Sequence, residues 1–338
     1  MKASRSLFLF ALCIACAGVS AVIATAGTAP SAHAQDWPSR PLTLVVPFGA
    51  GGSSDVIGRI VAEGLRVKLG QPVIVENING AGGMLGASRV AKAAPDGYQL
   101  VLGNIGTHAQ NQSVYRKPLY DAVADFAPVG LVADQSLVLI ARKDFPADNL
   151  RDFIVYAKAN QAKLQYGSSG VGGSNHLACV LFNAAAGLEV AHVPYRGGGG
   201  QAMQDLLAGR IDYQCPSGPV ALPQIEGKTV KAIALLRKDR SPSMPGLLSA
   251  GEQGLTGLDI PSWYALFLPK GTPPPIVDKL NAATVAALDM PSVQKGLIDV
   301  GSDLVPPEHR SAEYLGKFVA AEVDKWGRII KASGVEIN

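Results

Sequence analysis

The chain has 338 residues, with 30 Lys or Arg against 27 Asp or Glu, 17% charged residues and 38 glycines. That length accommodates two domains of ordinary size. The near-balanced charge, with no basic run interleaved with aromatics, excludes a nucleic-acid footprint, and the glycine content points to many tight strand-to-helix turns.

Lys2 and Arg5 precede an apolar run from Leu7 to Ala26, and Ala32-His33-Ala34 has the small-x-small form of a secretory cleavage site. This reads as a signal peptide over residues 1–34, removed after Ala34 and carrying Cys13 and Cys16 away with it. An uncleaved anchor is the alternative, since about 20 apolar residues can span a bilayer. Without Lys2 and Arg5 the mature chain holds 28 basic and 27 acidic residues. No later segment has 18 consecutive apolar residues, so a soluble mature protein is expected.

Strand-like runs follow at Leu42–Val46, Val73–Val75, Gln99–Leu102, Leu137–Ala141, Leu164–Tyr166, Val190–Val193, Ile211–Tyr213, Val230–Leu236 and Tyr264–Leu268. Segments of helical period lie between them. Asp55 to Leu69 places Val56, Ile57, Ile60, Val61 and Leu65 on one face and stops at Gly70 with Pro72 behind it. Thr272-Pro273 predicts an N-cap and first helical residue for a helix reaching Leu288, and Ser311 predicts the cap of another. Strands alternating with helices imply parallel sheets with helices on both sides. No period of 20–50 residues recurs.

The glycines concentrate where these strands end. Phe48-Gly49-Ala50-Gly51-Gly52-Ser53-Ser54-Asp55 follows the first run. It lacks the third glycine of a dinucleotide fingerprint and the lysine of a phosphate loop. Two readings remain: a small-anion pocket of backbone N–H groups at a helix start, or a tight turn with no ligand. The feature recurs at Asn79–Gly86, Gly103–His108, Tyr166–His176 and His192–Gly200. All five loops lie at carboxyl ends of strands, where open α/β sheets bind ligands. Turn chemistry alone does not account for five such loops, and two facing anion pockets across a cleft fit them better.

In this arrangement the chain resembles the periplasmic solute-binding proteins of the tripartite tricarboxylate transporter family, the Bug proteins. The resemblance rests on Trp37-Pro38-Ser39-Arg40-Pro41, Val46–Asp55, Glu76–Gly83, Tyr166–Gly170, His192–Gly197 and Leu268–Pro273, in order over the whole mature chain. One departure is Asn79, where family members usually carry proline. The resemblance implies an α/β, two-lobed, Venus-flytrap periplasmic binding protein of type II, with mixed sheets flanked by helices and the ligand in the inter-lobe cleft. Lobe one would comprise residues 35–136 and 263–338, and lobe two residues 137–262. Such proteins hold a small organic carboxylate by main-chain amides, hydroxyls and water, and deliver it to membrane permease subunits. A sensor kinase in place of the permease is the alternative partner. A monomer without cofactor, metal or nucleic acid is expected.

The expected ligand contacts in lobe one are Phe48, Gly49, Ala50, Gly51, Gly52 and Ser54, with Gly103 and Thr107 from the third loop. In lobe two they are Ser168, Ser169 and Val171, then Tyr195, Arg196 and Gly197, with Asp212 to read an amino or hydroxyl group. Asp55, at a helix start, is expected to cap N–H groups rather than meet the ligand, and His108 and His176 to act as hydrogen-bonding caps. No catalytic role is expected. Ser168 and Ser169 lack the G-x-S-x-G elbow, and the five histidines show no triad spacing. A secreted hydrolase is therefore the least favoured reading. Cys179 and Cys215 remain after export to an oxidising compartment. A disulfide between them is expected, with two buried free thiols as the alternative.

Overall fold

The structure is a computed structural model that describes residues 37–195 and 198–333. The signal segment 1–34, Arg196 and Gly197 lie outside the described residues. The chain divides into Met1–Ser39 and Arg40–Asn338, and both sheets belong to the second unit.

In chain order the elements are β1 (Leu42–Val46), α1 (Ser53–Leu69), β2 (Val73–Asn77), α2 (Met84–Ala91), β3 (Gln99–Asn104), α3 (Asn111–Val114), β4 (Phe126–Ser136) and β5 (Val138–Arg142). Next come α4 (Leu150–Asn160), β6 (Gln165–Ser168), α5 (Ser174–Ala186), β7 (Ala191–Pro194), α6 (Gly199–Leu207), β8 (Tyr213–Gln214), α7 (Gly218–Glu226) and β9 (Val230–Leu235). The chain ends with β10 (Pro261–Pro269), α8 (Pro274–Leu288), α9 (Pro291–Asp299), β11 (Ser302–Asp303) and α10 (Ala312–Ser333).

Two mixed sheets result. One has the order β11-β4-β10-β3-β1-β2, the other β7-β6-β8-β5-β9. In the first, β1, β2 and β3 are parallel while β10 runs antiparallel to β3 and β4. In the second, β6, β7 and β8 are parallel while β5 runs antiparallel to β8 and β9. The expectation of parallel sheets thus holds for the strand-helix repeats only. β4 passes directly into β5 through Leu137, and the 25 residues between β9 and β10 lead back.

Period-two side-chain alternation sends each sheet's apolar residues to both faces, and helices cover both. In the six-stranded sheet, Gly58 of α1 lies over Leu44, Val46 and Leu102, whereas Val45 and Val101 join Met84, Ala87 and Val90 on the other side. In the five-stranded sheet, Leu139 and Ala141 pack with Phe153, Leu177 and Phe182, while Val138 and Ile140 pack with Ala202, Met203, Leu206 and Ala221. A disulfide joins Cys179 of α5 to Cys215, just past β8, with Cα atoms 5.5 Å apart.

The capping residues act as their chemistry dictates at one predicted helix and differently at another. Ser311 Oγ accepts the Tyr314 N–H at 3.0 Å and starts α10. At α8 the helix begins one residue later than expected, with Pro273 as the N-cap. Thr272 instead donates its hydroxyl to the Pro269 carbonyl at 2.8 Å and closes the preceding turn.

Candidate functional site

The carboxyl ends of the parallel strands of both sheets face a cavity of about 40 Å³. From the six-stranded side it is lined by Phe48, Gly52, Ser53, Ser54, Asn104 and Tyr264. From the five-stranded side Ser169, Ser174, Asn175, Gly199, Pro216, Ser217 and Val220 line it, and Leu137 stands at the crossover. Among these described residues none is charged.

Four helices begin here. The N-caps of α1, α5, α6 and α7 are Gly52, Gly173, Gly198 and Ser217, and none receives a side-chain capping hydrogen bond. The first N–H groups of each helix lack an intrahelical partner, and each helix start carries a partial positive charge. Four such ends meet one cavity, whose described lining offers N–H groups and partial positive charge but no charged side chain.

Asp55 braces the first loop rather than lining the cavity. Its carboxylate accepts the Gly51 N–H and the Arg59 guanidinium on one oxygen, and Asn77 Nδ2 and Arg59 on the other, at 2.9–3.1 Å. Burial opposes its ionisation, but the hydrogen bonds from Arg59, Gly51 and Asn77 outweigh that and hold its carboxyl below the usual carboxylate range. Asn77 Nδ2 also donates to the Phe48 carbonyl at 3.0 Å, which ties the end of β2 to the loop after β1. Ser54 Oγ donates to the Tyr264 hydroxyl at 3.4 Å. Asn104 is locked by Thr107, whose N–H donates to Asn104 Oδ1 at 3.0 Å.

In the second sheet Asn175 Oδ1 accepts the Ser169 hydroxyl at 2.7 Å and the Ser169 N–H at 3.3 Å. Beneath this loop lie two histidines with ring centroids 4.1 Å apart. His176 Nδ1 accepts the Gly172 N–H at 3.3 Å, and His192 Nε2 meets Ser168 Oγ at 2.7 Å. Burial lowers the His176 pKa to about 3, helped by repulsion from His192, and burial lowers His192 to about 4. Both rings are therefore neutral at physiological pH, as the bond received by His176 Nδ1 requires.

The two sides touch around the cavity. A Cβ on Gly198, whose φ is +92°, would stand 3.3 Å from the Gly49 backbone, so only glycine lets the two loops approach this closely. Tyr115, just past α3, donates its hydroxyl to the Val171 carbonyl at 2.9 Å across the cleft.

The expected contacts distribute unevenly. Phe48, Gly52, Ser54 and Ser169 line the cavity. Gly49 abuts Gly198, and Ala50 and Gly51 are exposed beside it. Gly103 lies against His108 and Phe267 inside the sheet's own packing, and Thr107 is wholly buried as the cap of Asn104. Ser168 turns inward to His192, and Val171 meets Tyr115 through its carbonyl. The Tyr195 hydroxyl donates to Asp205. Asp212 does not line the cavity; it holds Arg142 at 3.0 Å and accepts the Gln165 N–H at 2.8 Å, bracing the strand framework. Asn104, Ser53, Asn175, Ser217, Leu137, Val220, Pro216, Gly199 and Tyr264 line it without having been expected there, and Ser174 completes the lining.

The two-lobed α/β architecture, with loops from both sheets around one cavity, is that of the periplasmic binding proteins. The chain belongs to the family described as tripartite tricarboxylate transporter family receptor, whose sequence profile matches residues 57–335. The periplasmic binding protein BugD superposes with a TM-score of 0.85 at 36% identity, over 89% of this chain and 99% of that one. MatC from Rhodopseudomonas palustris, solved with bound malate, gives 0.83 at 38% identity over 87% and 99%. A protein from the TAR-I ttuE-ttuC' intergenic region of Agrobacterium vitis is 38% identical over 93% of this chain and 91% of its own. Among the described residues no helix is long and apolar enough to cross a membrane.

Proposed function

We propose that this chain is an exported receptor that closes two lobes on a small organic carboxylate in the periplasm and delivers it to the membrane subunits of a tripartite transporter. The observation that carries this reading is the convergence of four uncapped helix starts on a cavity with no charged residue among its described lining. A carboxylate there gains several charge-assisted N–H bonds with no buried counter-charge to desolvate. The malate bound by MatC supports the ligand class. Lobe one, residues 35–136 and 263–338, and lobe two, residues 137–262, would move about the crossover at Leu137 and the segment between β9 and β10. The receptor acts as a monomer, needs no cofactor and performs no catalysis. Residues 1–34 serve as its export signal.

A thermal-shift panel tests this. A native-state ligand at 100 Kd raises stability by about 2.7 kcal/mol. Carboxylates should raise the melting temperature, and matched alcohols and amines should not. A panel in which only uncharged solutes stabilise the protein contradicts the proposal.

A further inference from the structure

Asn79-Gly80 is the one place in the sequence where asparagine precedes glycine. The pair lies just past β2, at the cleft end of the six-stranded sheet and outside any helix or strand, and Asn79 is exposed. Gly80 has a φ of +131°, and a Cβ there would stand 2.6 Å from Leu85 Cδ1, so the fold requires glycine at this position. Its carbonyl accepts the Gly83 N–H at 2.9 Å and the Leu85 N–H at 3.4 Å, while among the described residues its own N–H has no main-chain acceptor. Asn77, two residues earlier, is held differently. Its Nδ2 donates to the Phe48 carbonyl and to Asp55 Oδ1, both at 3.0 Å, and the β-branched Ile78 follows it. The loop after Asn79 abuts lobe two. A Cβ on Gly82 would stand 2.9 Å from the Gly172 main chain and 3.0 Å from the Val171 carbonyl, and Asn111 Nδ2 donates to the Gly82 carbonyl at 3.0 Å.

From this we infer that Asn79 is a site of spontaneous deamidation, which converts the loop between β2 and α2 into an aspartate or isoaspartate form and weakens ligand binding. The Gly80 main-chain nitrogen loses its proton and attacks Asn79 Cγ. The N–Cγ bond forms, the Cγ–Nδ2 bond breaks, and ammonia leaves with a proton, which gives a cyclic succinimide. Water then opens the ring. Cleavage at Cγ yields aspartate, and cleavage at the Asn79 main-chain carbonyl yields isoaspartate, whose peptide link runs through Cβ and Cγ. The net change is one water gained and one ammonia lost. The fold permits the attack because no Cβ on residue 80 blocks the approach, no ladder or helix holds the Gly80 N–H, and solvent reaches Asn79. Either product puts a carboxylate at the cleft end of the sheet, where it opposes an incoming anion. Isoaspartate also lengthens the main chain by one methylene and so displaces the turn from Gly80 to Gly83 that leads into the contact with Gly172. The effect on binding rests on the carboxylate reading of the cleft; the deamidation does not.

Incubating the whole protein at mildly alkaline pH, then mapping its peptides by tandem mass spectrometry, tests the chemistry. The tryptic peptide spanning residues 69–89 should become heavier by the difference between a carboxyl and an amide, with the change at Asn79 and not at Asn77. An isoaspartate methyltransferase used as a reagent should label the same peptide. Mildly acidic buffer and Asn79→Gln should each suppress the change, because base is needed to deprotonate the Gly80 nitrogen and a glutamine would have to close a larger ring. Calorimetry with malate should give an affinity at least about twofold weaker for the incubated protein than for fresh protein, and likewise for Asn79→Asp, the effect of one added exposed charge. A peptide that stays unmodified in the native protein while it converts in the denatured chain shows that the fold protects Asn79, and overturns the inference. Conversion with no loss of affinity, in the incubated protein and in Asn79→Asp alike, overturns the consequence for binding. Absence of malate binding in fresh protein counts against the carboxylate reading and leaves the peptide map to decide the deamidation.

Discussion

Tyr115→Phe removes one hydroxyl and leaves the ring in place. That hydroxyl joins the lobes through the Val171 carbonyl at 2.9 Å, and the ring lies against Gly172, where a Cβ would come within 2.6 Å. Burial raises the Tyr115 pKa, so the group stays a donor throughout the neutral range. A neutral hydrogen bond of this kind contributes about 0.5–1.5 kcal/mol. Its partners meet only when the lobes are together, so the loss falls on the closed state and shifts the closed-to-open ratio by about 2- to 12-fold. Ligand affinity should weaken by the same factor, although Tyr115 does not line the cavity. Calorimetry would read the affinity, stopped-flow the faster release, and small-angle scattering a larger radius of gyration at subsaturating ligand. An unchanged affinity with a lowered melting temperature would show that Tyr115 only stabilises its own lobe, and would refute the latch.

Gly198→Ala should weaken binding by about tenfold or more while leaving the melting temperature within a few degrees, because the new Cβ stands 3.3 Å from Gly49 at a φ of +92° and keeps the loops apart; calorimetry beside a thermal melt checks it. Replacing Cys179 and Cys215 by alanine together opens a 36-residue loop and should cost about 3–4 kcal/mol in denaturant unfolding, and unreduced, denatured protein should show no alkylation of peptides bearing either residue. His176 is neutral in the folded state with its pKa lowered to about 3 from an ordinary 6.5. As pH falls below 6.5 the unfolded chain takes up the proton first, so stability declines between pH 6.5 and about 3. His176→Asn should therefore flatten the loss in melting temperature between pH 7 and pH 5, and an unaltered slope would assign that loss elsewhere.

The glycine loops were legible because backbone that approaches a ligand or another loop leaves few residue choices, and the strand before each loop marks its position. Side-chain direction was not legible. Ser168 and Ser169 are adjacent hydroxyls on one loop, and only the fold decides that the first turns to His192 and the second to Asn175 beside the cavity. Tyr264 enters the site because β10 pairs antiparallel with β3 and sets Tyr264 opposite Asn104, a register that no local pattern encodes. β4 escaped because Pro128, Gly130, Asp134 and Gln135 interrupt its apolar run; its 11 residues are held in the sheet by β10. Asp212 looked available at a strand end, and Arg142, 70 residues away in sequence, occupies it.

The central claim is that a carboxylate binds at the four converging helix starts. A ¹⁵N-resolved amide titration of the isotopically labelled protein with malate or succinate reads those positions directly. The account predicts concerted downfield shifts of the Ser54, Asn175, Gly199 and Gly218 amides at the calorimetric Kd, the mark of N–H groups donating to an incoming anion. Saturable binding that leaves these four amides unmoved and shifts resonances elsewhere would contradict it.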